Sequence, residues 1–229
     1  MLFSEAKMSR SKWFRTDKFS HGYVEGWIDF SWKILGKCTM QKFFMLLSFF
    51  LVGSSTWAVR PGEIVPGWEL PDLTGTAYRL GDFRGKVVVL EWTNYDCPFV
   101  RKHYGSGNLQ KLQKQWSERG VVWFSIRSGK ADFEELAKMA KTLKIHSKAV
   151  LLDSKATTAE AYRARTTPHI FIIDPTGKLA YSGAVDDQPT PDPASIEGAR
   201  NYVSEALEAI LAGKPVKVAA TRPYGCGVK

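Results

Sequence analysis

The stretch that most constrains the fold is residues 87–102, VVVLEWTNYDCPFVRK. The apolar run at residues 87–90 predicts a strand that is covered on both faces. Cys97 then closes a turn, and Pro98 stands at the first position of a predicted helix, where the missing proline N–H removes no hydrogen bond. Free backbone N–H groups and the helix dipole stabilise a cysteine thiolate at this position. The stretch therefore predicts a strand–turn–helix unit with Cys97 as a candidate nucleophile.

The remaining chain alternates strands with helices. A small hairpin is predicted from residues 70–73 and 77–80, ahead of the main strand. Later strands are predicted at residues 121–126, 149–152, 170–173 and 179–185. Helices are predicted after Cys97 with a break at residues 105–107, at residues 131–143 with Phe133 inward, at residues 158–163, and before Gly213. This order predicts an α/β fold with a central mixed sheet flanked by helices, closed by an antiparallel hairpin.

The N-terminal region divides into two segments. Residues 1–39 are rich in aromatic side chains but show no sustained period, and we interpret them as an uncertain extension upstream of the true start at Met40. Residues 40–58 have a short basic start, an apolar centre and a small polar end, which is typical of a secretory signal peptide. The alternative is an N-terminal arm with a membrane anchor at residues 43–59. We therefore expect a domain at residues 59–229 that is periplasmic or secreted.

Composition narrows the classes of partner. The chain is 44% apolar and 24% charged, which favours a globular domain over a disordered one. Its net charge of +9 is spread along the chain without a Lys/Arg block, so no nucleic-acid partner is expected. The spacing of the three cysteines fits neither a zinc ribbon nor a disulfide-dense scaffold. No cofactor is expected, and His103 and His169 are predicted to be surface or supporting groups rather than metal ligands.

Three motifs carry a resemblance to a known family. The strand–turn–Cys–Pro–helix unit, the pair Thr167–Pro168 before a strand, and the hairpin DPTGKLAYSG resemble the thioredoxin fold. The leader WELPDLTG resembles the redoxin branch of that fold, which includes the alkyl hydroperoxide reductase/thiol-specific antioxidant proteins. The strings DCPFVRKHYG and TRPYGC resemble a bacterial peroxiredoxin-like subgroup. The resemblance covers residues 66–226 and implies a thioredoxin-like fold with an N-terminal β-hairpin extension.

The resemblance also implies roles for the cysteines. Cys97 is the candidate nucleophile, against the alternative of an inert buried cysteine. Arg101 and Lys102, about one turn on, are expected to lower its pKa, whereas the neighbouring Asp96 opposes that shift. Thioredoxin-like enzymes carry a second cysteine three residues later, where this chain has Val100. Cys226, in a glycine-flanked tail expected to be flexible, is then the candidate resolving cysteine. The alternatives are a tail cysteine without a role and one that pairs between chains.

Further site residues follow from the same resemblance. Glu91 matches a buried carboxylate that relays protons in thioredoxins, against the alternative of a strand-end glutamate facing solvent. Thr167 and Pro168 match a cis-proline loop that faces the nucleophile and pairs with extended substrates. Asn94 stands where peroxiredoxins have a threonine, which argues against strong peroxidase activity, although its amide can still bind a peroxide oxygen. An arginine is also expected beside the sulfur, from Arg101, Arg127 or Arg163.

These expectations favour a thiol-dependent oxidoreductase, either a peroxiredoxin-like antioxidant or a thiol–disulfide reductase. Its substrate is a peroxide or a protein or small-molecule disulfide, and an external thiol reductant such as a thioredoxin-like protein restores it. Two alternatives stay open at this point. One is a non-catalytic redox sensor on the same fold. The other is a metal carrier that uses Cys97 with His103 or His169.

Overall fold

A five-stranded mixed sheet forms the centre of the structure, a computed structural model that describes residues 59–228. Nine strands occur in those residues: β1 (Glu69–Pro71), β2 (Ala77–Arg79), β3 (Val88–Trp92), β4 (Val122–Ser128), β5 (Ala149–Asp153), β6 (Thr166–Thr167), β7 (His169–Ile173), β8 (Leu179–Gly183) and β9 (Cys226–Gly227). The central sheet has the spatial order β5-β4-β3-β7-β8. Strands β3, β4 and β5 are parallel, whereas β7 and β8 are antiparallel to their neighbours. The predicted mixed sheet is thus confirmed.

Five α-helices accompany the sheet in the described part of the chain. They are α1 (Pro98–Gly105), α2 (Asn108–Glu118), α3 (Phe133–Thr142), α4 (Thr157–Tyr162) and α5 (Tyr202–Leu211). Short 3₁₀ helices at Leu80–Phe83 and Pro193–Ile196 were not predicted. The predicted break at residues 105–107 separates α1 from α2, and the N-terminal hairpin forms from β1 and β2. None of these helices has the length and apolar character needed to traverse a lipid bilayer.

Side chains of β3 alternate between two core layers, because successive residues of a strand point to opposite faces. Val88, Leu90 and Trp92 pack in the layer that also contains Phe124. Val89 lies in the opposite layer, together with Cys97. Glu91 follows Val89 at the two-residue period, and hydrogen bonds from Trp123 and Tyr104 place its carboxyl in that second layer. The strand therefore directs Glu91 into the layer that contains the nucleophile.

Two expectations outside the central sheet are wrong. Phe133 was predicted to face inward, but its side chain is 51% exposed. It is the first residue of α3, beyond the Asp132 N-cap, and Leu136 one turn later is the buried residue of this helix. The tail was predicted to be flexible, but it ends in β9, which pairs antiparallel with β6. The predicted extension at residues 1–39 and signal peptide at residues 40–58 lie outside the described residues.

Candidate active site

The turn between β3 and α1 fixes the position of Cys97. Cys97 is the N-cap of α1, and its N–H donates to the Asn94 carbonyl at 2.9 Å. The Asn94 side chain accepts the N–H of Asp96 at 3.2 Å, which closes the turn a second time. Pro98 then occupies the first position of the helix, as the sequence predicts. Asn94 therefore shapes the turn through both its backbone and its side-chain oxygen.

The Cys97 sulfur is enclosed by the cis-proline loop and the C-terminal tail. The Cys97 thiol donates to the Thr167 carbonyl at 3.0 Å, and the residue is 1% exposed. The N–H of Cys226 donates to the Cys97 sulfur at 3.4 Å. The Cys226 thiol also forms a hydrogen bond with Cys97, and both cysteines are free thiols. The structure thus brings together two thiols that are 129 positions apart in the chain.

Hydrogen bonding shifts the Cys97 thiol toward its ionised form. Burial raises the pKa of Cys97, but donors to the sulfur outweigh this effect, and the pKa lies below its ordinary value. The donors are the Cys226 thiol, the backbone N–H groups of Val100 and Cys226, and the Thr167 side chain. The Val100 N–H belongs to the first turn of α1, as expected for a thiolate at a helix N-terminus.

Backbone geometry holds the tail against the cis-proline loop. The Thr167–Pro168 peptide bond is cis, as the resemblance implied. Thr167 of β6 pairs with Cys226 of β9. Gly225 has φ +133°, and a Cβ atom at this position would lie 2.1 Å from the Thr167 carbonyl oxygen. The close approach of the two strands therefore requires glycine at position 225.

Glu91 is fully buried, so it is not a strand-end glutamate that faces solvent. Its carboxylate accepts hydrogen bonds from three side chains, 2.8–3.0 Å away: the Tyr104 hydroxyl, the Gln113 amide and the Trp123 indole. Burial raises the pKa of Glu91 to about 7, although these three donors oppose the shift. Tyr104 belongs to α1, the helix that begins after Cys97. Glu91 is thus a buried carboxyl with a raised pKa, connected to α1 through Tyr104.

Two of the candidate arginines bind backbone carbonyl groups, and the third is exposed. Arg101 donates to the Tyr95 carbonyl at 3.1 Å and lies 3.6 Å from the Asp96 carboxylate. Arg127 donates to the Ser128 carbonyl, and Arg163 is exposed at the end of α4. Within residues 59–228, the hydrogen-bond partners of Cys97 include no arginine. Arg101 therefore supports the turn rather than the thiolate.

Three buried polar side chains and the half-buried Tyr224 form a cluster beside the tail that the sequence did not predict. Lys102 was expected to act on Cys97, but its ammonium lies 3.4 Å from the Asp186 carboxylate, and both side chains are almost fully buried. His103 was expected to be a surface or supporting group; it is buried, and it hydrogen-bonds to Tyr224 at 3.2 Å. A periodicity analysis treats such polar residues as surface positions, so no pattern marked them. The motif TRPYGC, which contains Tyr224, was the one available signal.

Both histidines considered as metal ligands have their ring nitrogens engaged. The His103 nitrogens contact Asn108 and Tyr224, and those of His169 contact the Arg165 N–H and the Ser182 hydroxyl. Burial lowers the pKa of His103 to about 4 and that of His169 to about 3. In this arrangement neither ring presents a free nitrogen to a metal bound at Cys97.

Comparison with known proteins decides the family. The profile of the AhpC/TSA family matches residues 61–182. The chain belongs to the AhpC/TSA family. This match contains β1 to β7, most of β8 and Cys97, whereas the tail with Cys226 lies beyond its end.

Relatives in this superfamily carry thiol–disulfide names. The chain is 25% identical over 146 residues to "Thioredoxin-like protein YneN" of Bacillus subtilis (strain 168), which covers 58% of this chain and 84% of the relative. It is 28% identical over 123 residues to "Thiol-disulfide oxidoreductase ResA" of Geobacillus thermodenitrificans (strain NG80-2), with 53% and 68% covered. The redoxin superfamily predicted from the motifs is confirmed.

Solved structures confirm the thioredoxin-like fold. An uncharacterized conserved protein from Geobacillus kaustophilus is 27% identical, with a TM-score of 0.61 and coverage of 74% of this chain and 91% of that chain. A putative thiol:disulfide interchange protein DsbE from Chlorobium tepidum shares the fold at 23% identity, with a TM-score of 0.50 and coverage of 66% and 99%. The central mixed sheet and its flanking helices thus form a thioredoxin-like fold.

Proposed function

We propose that this protein is a thiol–disulfide oxidoreductase in which Cys97 is the nucleophile and Cys226 the resolving cysteine. The contact between the two residues carries the proposal, because the Cys226 N–H and thiol both hydrogen-bond to the Cys97 sulfur. The lowered pKa of Cys97 supports its role as the first thiolate. Val100 replaces the second cysteine of a Cys-x-x-Cys motif, so the tail supplies the partner.

The reaction proceeds by two thiol–disulfide exchanges. The Cys97 thiolate attacks one sulfur of a substrate disulfide, forms a mixed disulfide with it, and releases the other sulfur as a thiolate. Cys226 loses its proton and attacks the Cys97 sulfur, which forms the Cys97–Cys226 disulfide and releases the second substrate thiolate. The two cysteines thus transfer two electrons and two protons to the substrate. An external dithiol, such as a thioredoxin-like protein, reduces the Cys97–Cys226 disulfide to two thiols again.

Neighbouring residues have supporting roles in this proposal. Thr167 and Pro168 position the sulfur and the tail, and Pro98 starts the helix whose N–H groups face the thiolate. Asn94 and Arg101 hold the turn that presents Cys97. Glu91 exchanges a proton during the cycle, because a carboxyl with a pKa of about 7 changes its charge near neutral pH.

Peroxide is the second candidate oxidant, and the depth of the sulfur favours it. Cys97 is 1% exposed, so a small oxidant meets less obstruction than a protein disulfide does. The thiolate attacks one peroxide oxygen, the other oxygen leaves as alcohol or water after taking up a proton, and Cys97 becomes a sulfenic acid. Cys226 then condenses with it and releases water. The Asn94 side-chain oxygen accepts the Asp96 N–H, so a hydrogen bond from this side chain to peroxide would come from its amide N–H groups.

The cellular setting is proposed from residues 40–58. Their signal-peptide pattern favours an envelope or secreted protein, where disulfide substrates and oxidants occur. N-terminal sequencing of the protein isolated from its own cells tests the signal peptide. A start at Val59 supports its cleavage, and a start upstream of residue 40 contradicts cleavage and favours the membrane anchor.

Counting released thiols tests the proposed function. Cys38→Ala protein, which retains Cys97 and Cys226, is reduced, freed of reductant and mixed with one equivalent of oxidised glutathione. We expect two glutathione thiols per chain. Cys226→Ser in the same background should release one and retain glutathione on Cys97, whereas Cys97→Ser should release none.

The same proteins mixed with hydrogen peroxide distinguish the oxidants. Faster loss of peroxide than of glutathione disulfide favours the peroxidase assignment. A slow single turnover of the oxidant without recycling favours a redox sensor. Full thiol release by Cys97→Ser contradicts the whole scheme.

A further inference from the structure

A buried polar cluster lies where the tail crosses α1. Lys102 and His103 of α1 have fully buried side chains, and the side chain of Asp186 is 2% exposed. Tyr224, two residues before Cys226, places its hydroxyl among these three groups. The cluster therefore combines charged residues of the folded domain with one residue of the tail.

The hydrogen bonds of the cluster have a defined direction. The Asn108 amide donates to His103 Nδ1 at 2.8 Å, so Nε2 carries the ring proton and donates to the Tyr224 oxygen at 3.2 Å. Tyr224 in turn donates its hydroxyl proton to Asp186 Oδ1. The Lys102 ammonium donates to the same tyrosine oxygen at 3.4 Å. The hydroxyl thus accepts from two buried donors and donates to one buried carboxylate.

Ring contacts fix the rest of the Tyr224 side chain. The Lys102 ammonium lies 5.3 Å from the centre of the Tyr224 ring, and the Phe99 ring centre lies 5.7 Å from it. Gln188 anchors Lys102 from the other side, through its carbonyl at 2.7 Å. Withdrawal of Tyr224 leaves a buried carboxylate without its hydroxyl donor and a buried imidazole N–H without its acceptor, both of which are costly.

We propose that this cluster is a latch in which Tyr224 is the positioning residue that holds Cys226 against Cys97. An extended backbone rises about 3.3 Å per residue, so a tyrosine fixed two positions upstream determines where Cys226 lies. Gly225 between them lets the chain pass directly over the Thr167 carbonyl. The inference rests on the proposed function, since it assigns the group that sets the proximity of the two thiols.

The test compares Tyr224→Phe with Tyr202→Phe, both in the Cys38→Ala chain. The first variant removes the hydroxyl and keeps the ring. The control alters a tyrosine of α5 whose ring faces the Arg200 guanidinium at 5.1 Å. Two quantities are measured: the equilibrium constant for Cys97–Cys226 disulfide formation against glutathione, and hydrogen–deuterium exchange of the tail amides in reduced protein. We expect Tyr224→Phe to lower the constant at least tenfold and to accelerate tail exchange at least tenfold.

The outcomes separate the latch from the proposed function. Exchange in β3 should be unchanged in both variants, which shows that the fold is intact, and Tyr202→Phe should stay within twofold of the parent. A constant within twofold of the parent for Tyr224→Phe overturns the latch. If the parent protein forms no Cys97–Cys226 disulfide, the proposed function fails, and tail exchange alone decides the latch: faster exchange in Tyr224→Phe supports it, and equal exchange overturns it.

Discussion

At the residue scale, Glu91 shows how environment sets chemistry. Glu91 lies in an apolar strand, and a buried carboxyl there requires hydrogen-bond partners. Tyr104, Gln113 and Trp123 provide them. They satisfy the carboxyl, yet burial still raises its pKa to about 7. The folded protein therefore keeps a proton on Glu91 between pH 4.5 and about 7, whereas the unfolded chain releases it.

Glu91→Gln should remove one component of the pH dependence of stability. The raised pKa of Glu91 makes the free energy of unfolding fall as pH rises from 4.5 to about 7, by about 3 kcal/mol for a shift of this size. His103 and His169 act oppositely, because their pKa values are lowered. The difference between wild type and Glu91→Gln isolates the carboxyl, since both histidines are present in each protein. Urea unfolding should show wild type losing about 3 kcal/mol relative to the variant, and a pH-independent difference would contradict the assignment.

The residues of the site differ in how well the sequence predicts their position. Cys97 and Pro98 were predicted because a buried strand, a turn and a helix start have local patterns that require no partner. The cis peptide before Pro168 followed from the resemblance. The burial of Lys102, by contrast, depends on Asp186, 84 positions away, and no local pattern records that pairing.

At the element scale, β6 and β9 assemble the site. Each contains two residues, which is too short for an alternating pattern to register, so neither was predicted. The glycines beside Cys226 were interpreted as a source of flexibility. In the structure, Gly225 instead permits a close crossing over Thr167, where any side chain would collide with the carbonyl. The same composition therefore supports a docked tail as readily as a mobile one.

Gly225→Ala should release the tail and expose Cys97. Its Cβ would lie 2.1 Å from the Thr167 oxygen, whereas a Cβ at Gly227 meets nothing within 4 Å, which makes Gly227→Ala the matched control. In reduced Cys38→Ala protein, we expect iodoacetamide to alkylate Cys97 at least tenfold faster in Gly225→Ala than in the parent or the control. Peptide mass spectrometry gives the rate for each cysteine. Equal rates in the two glycine variants would show that β9 does not cover the sulfur.

At the scale of the whole molecule, the fold joins a thiol of the AhpC/TSA domain to a thiol beyond the end of the family match. The central sheet and the order of its elements were predictable, because alternating strands and helices restrict the topology to few choices. The docking of the tail was not, since it depends on one tyrosine, one glycine and a buried ion pair that converge only in the folded chain. The proposed function therefore requires that Cys97 and Cys226 react with each other.

Peptide mapping of oxidised protein tests this claim most directly. Cys38→Ala protein is reduced, treated with one equivalent of oxidised glutathione, quenched with acid and digested without reductant. We expect a chain lighter by two hydrogens and a cross-linked pair of peptides that contain Cys97 and Cys226. Glutathione or an oxygen adduct held stably on Cys97, with Cys226 still free, would contradict it and leave Cys97 as a single reactive cysteine.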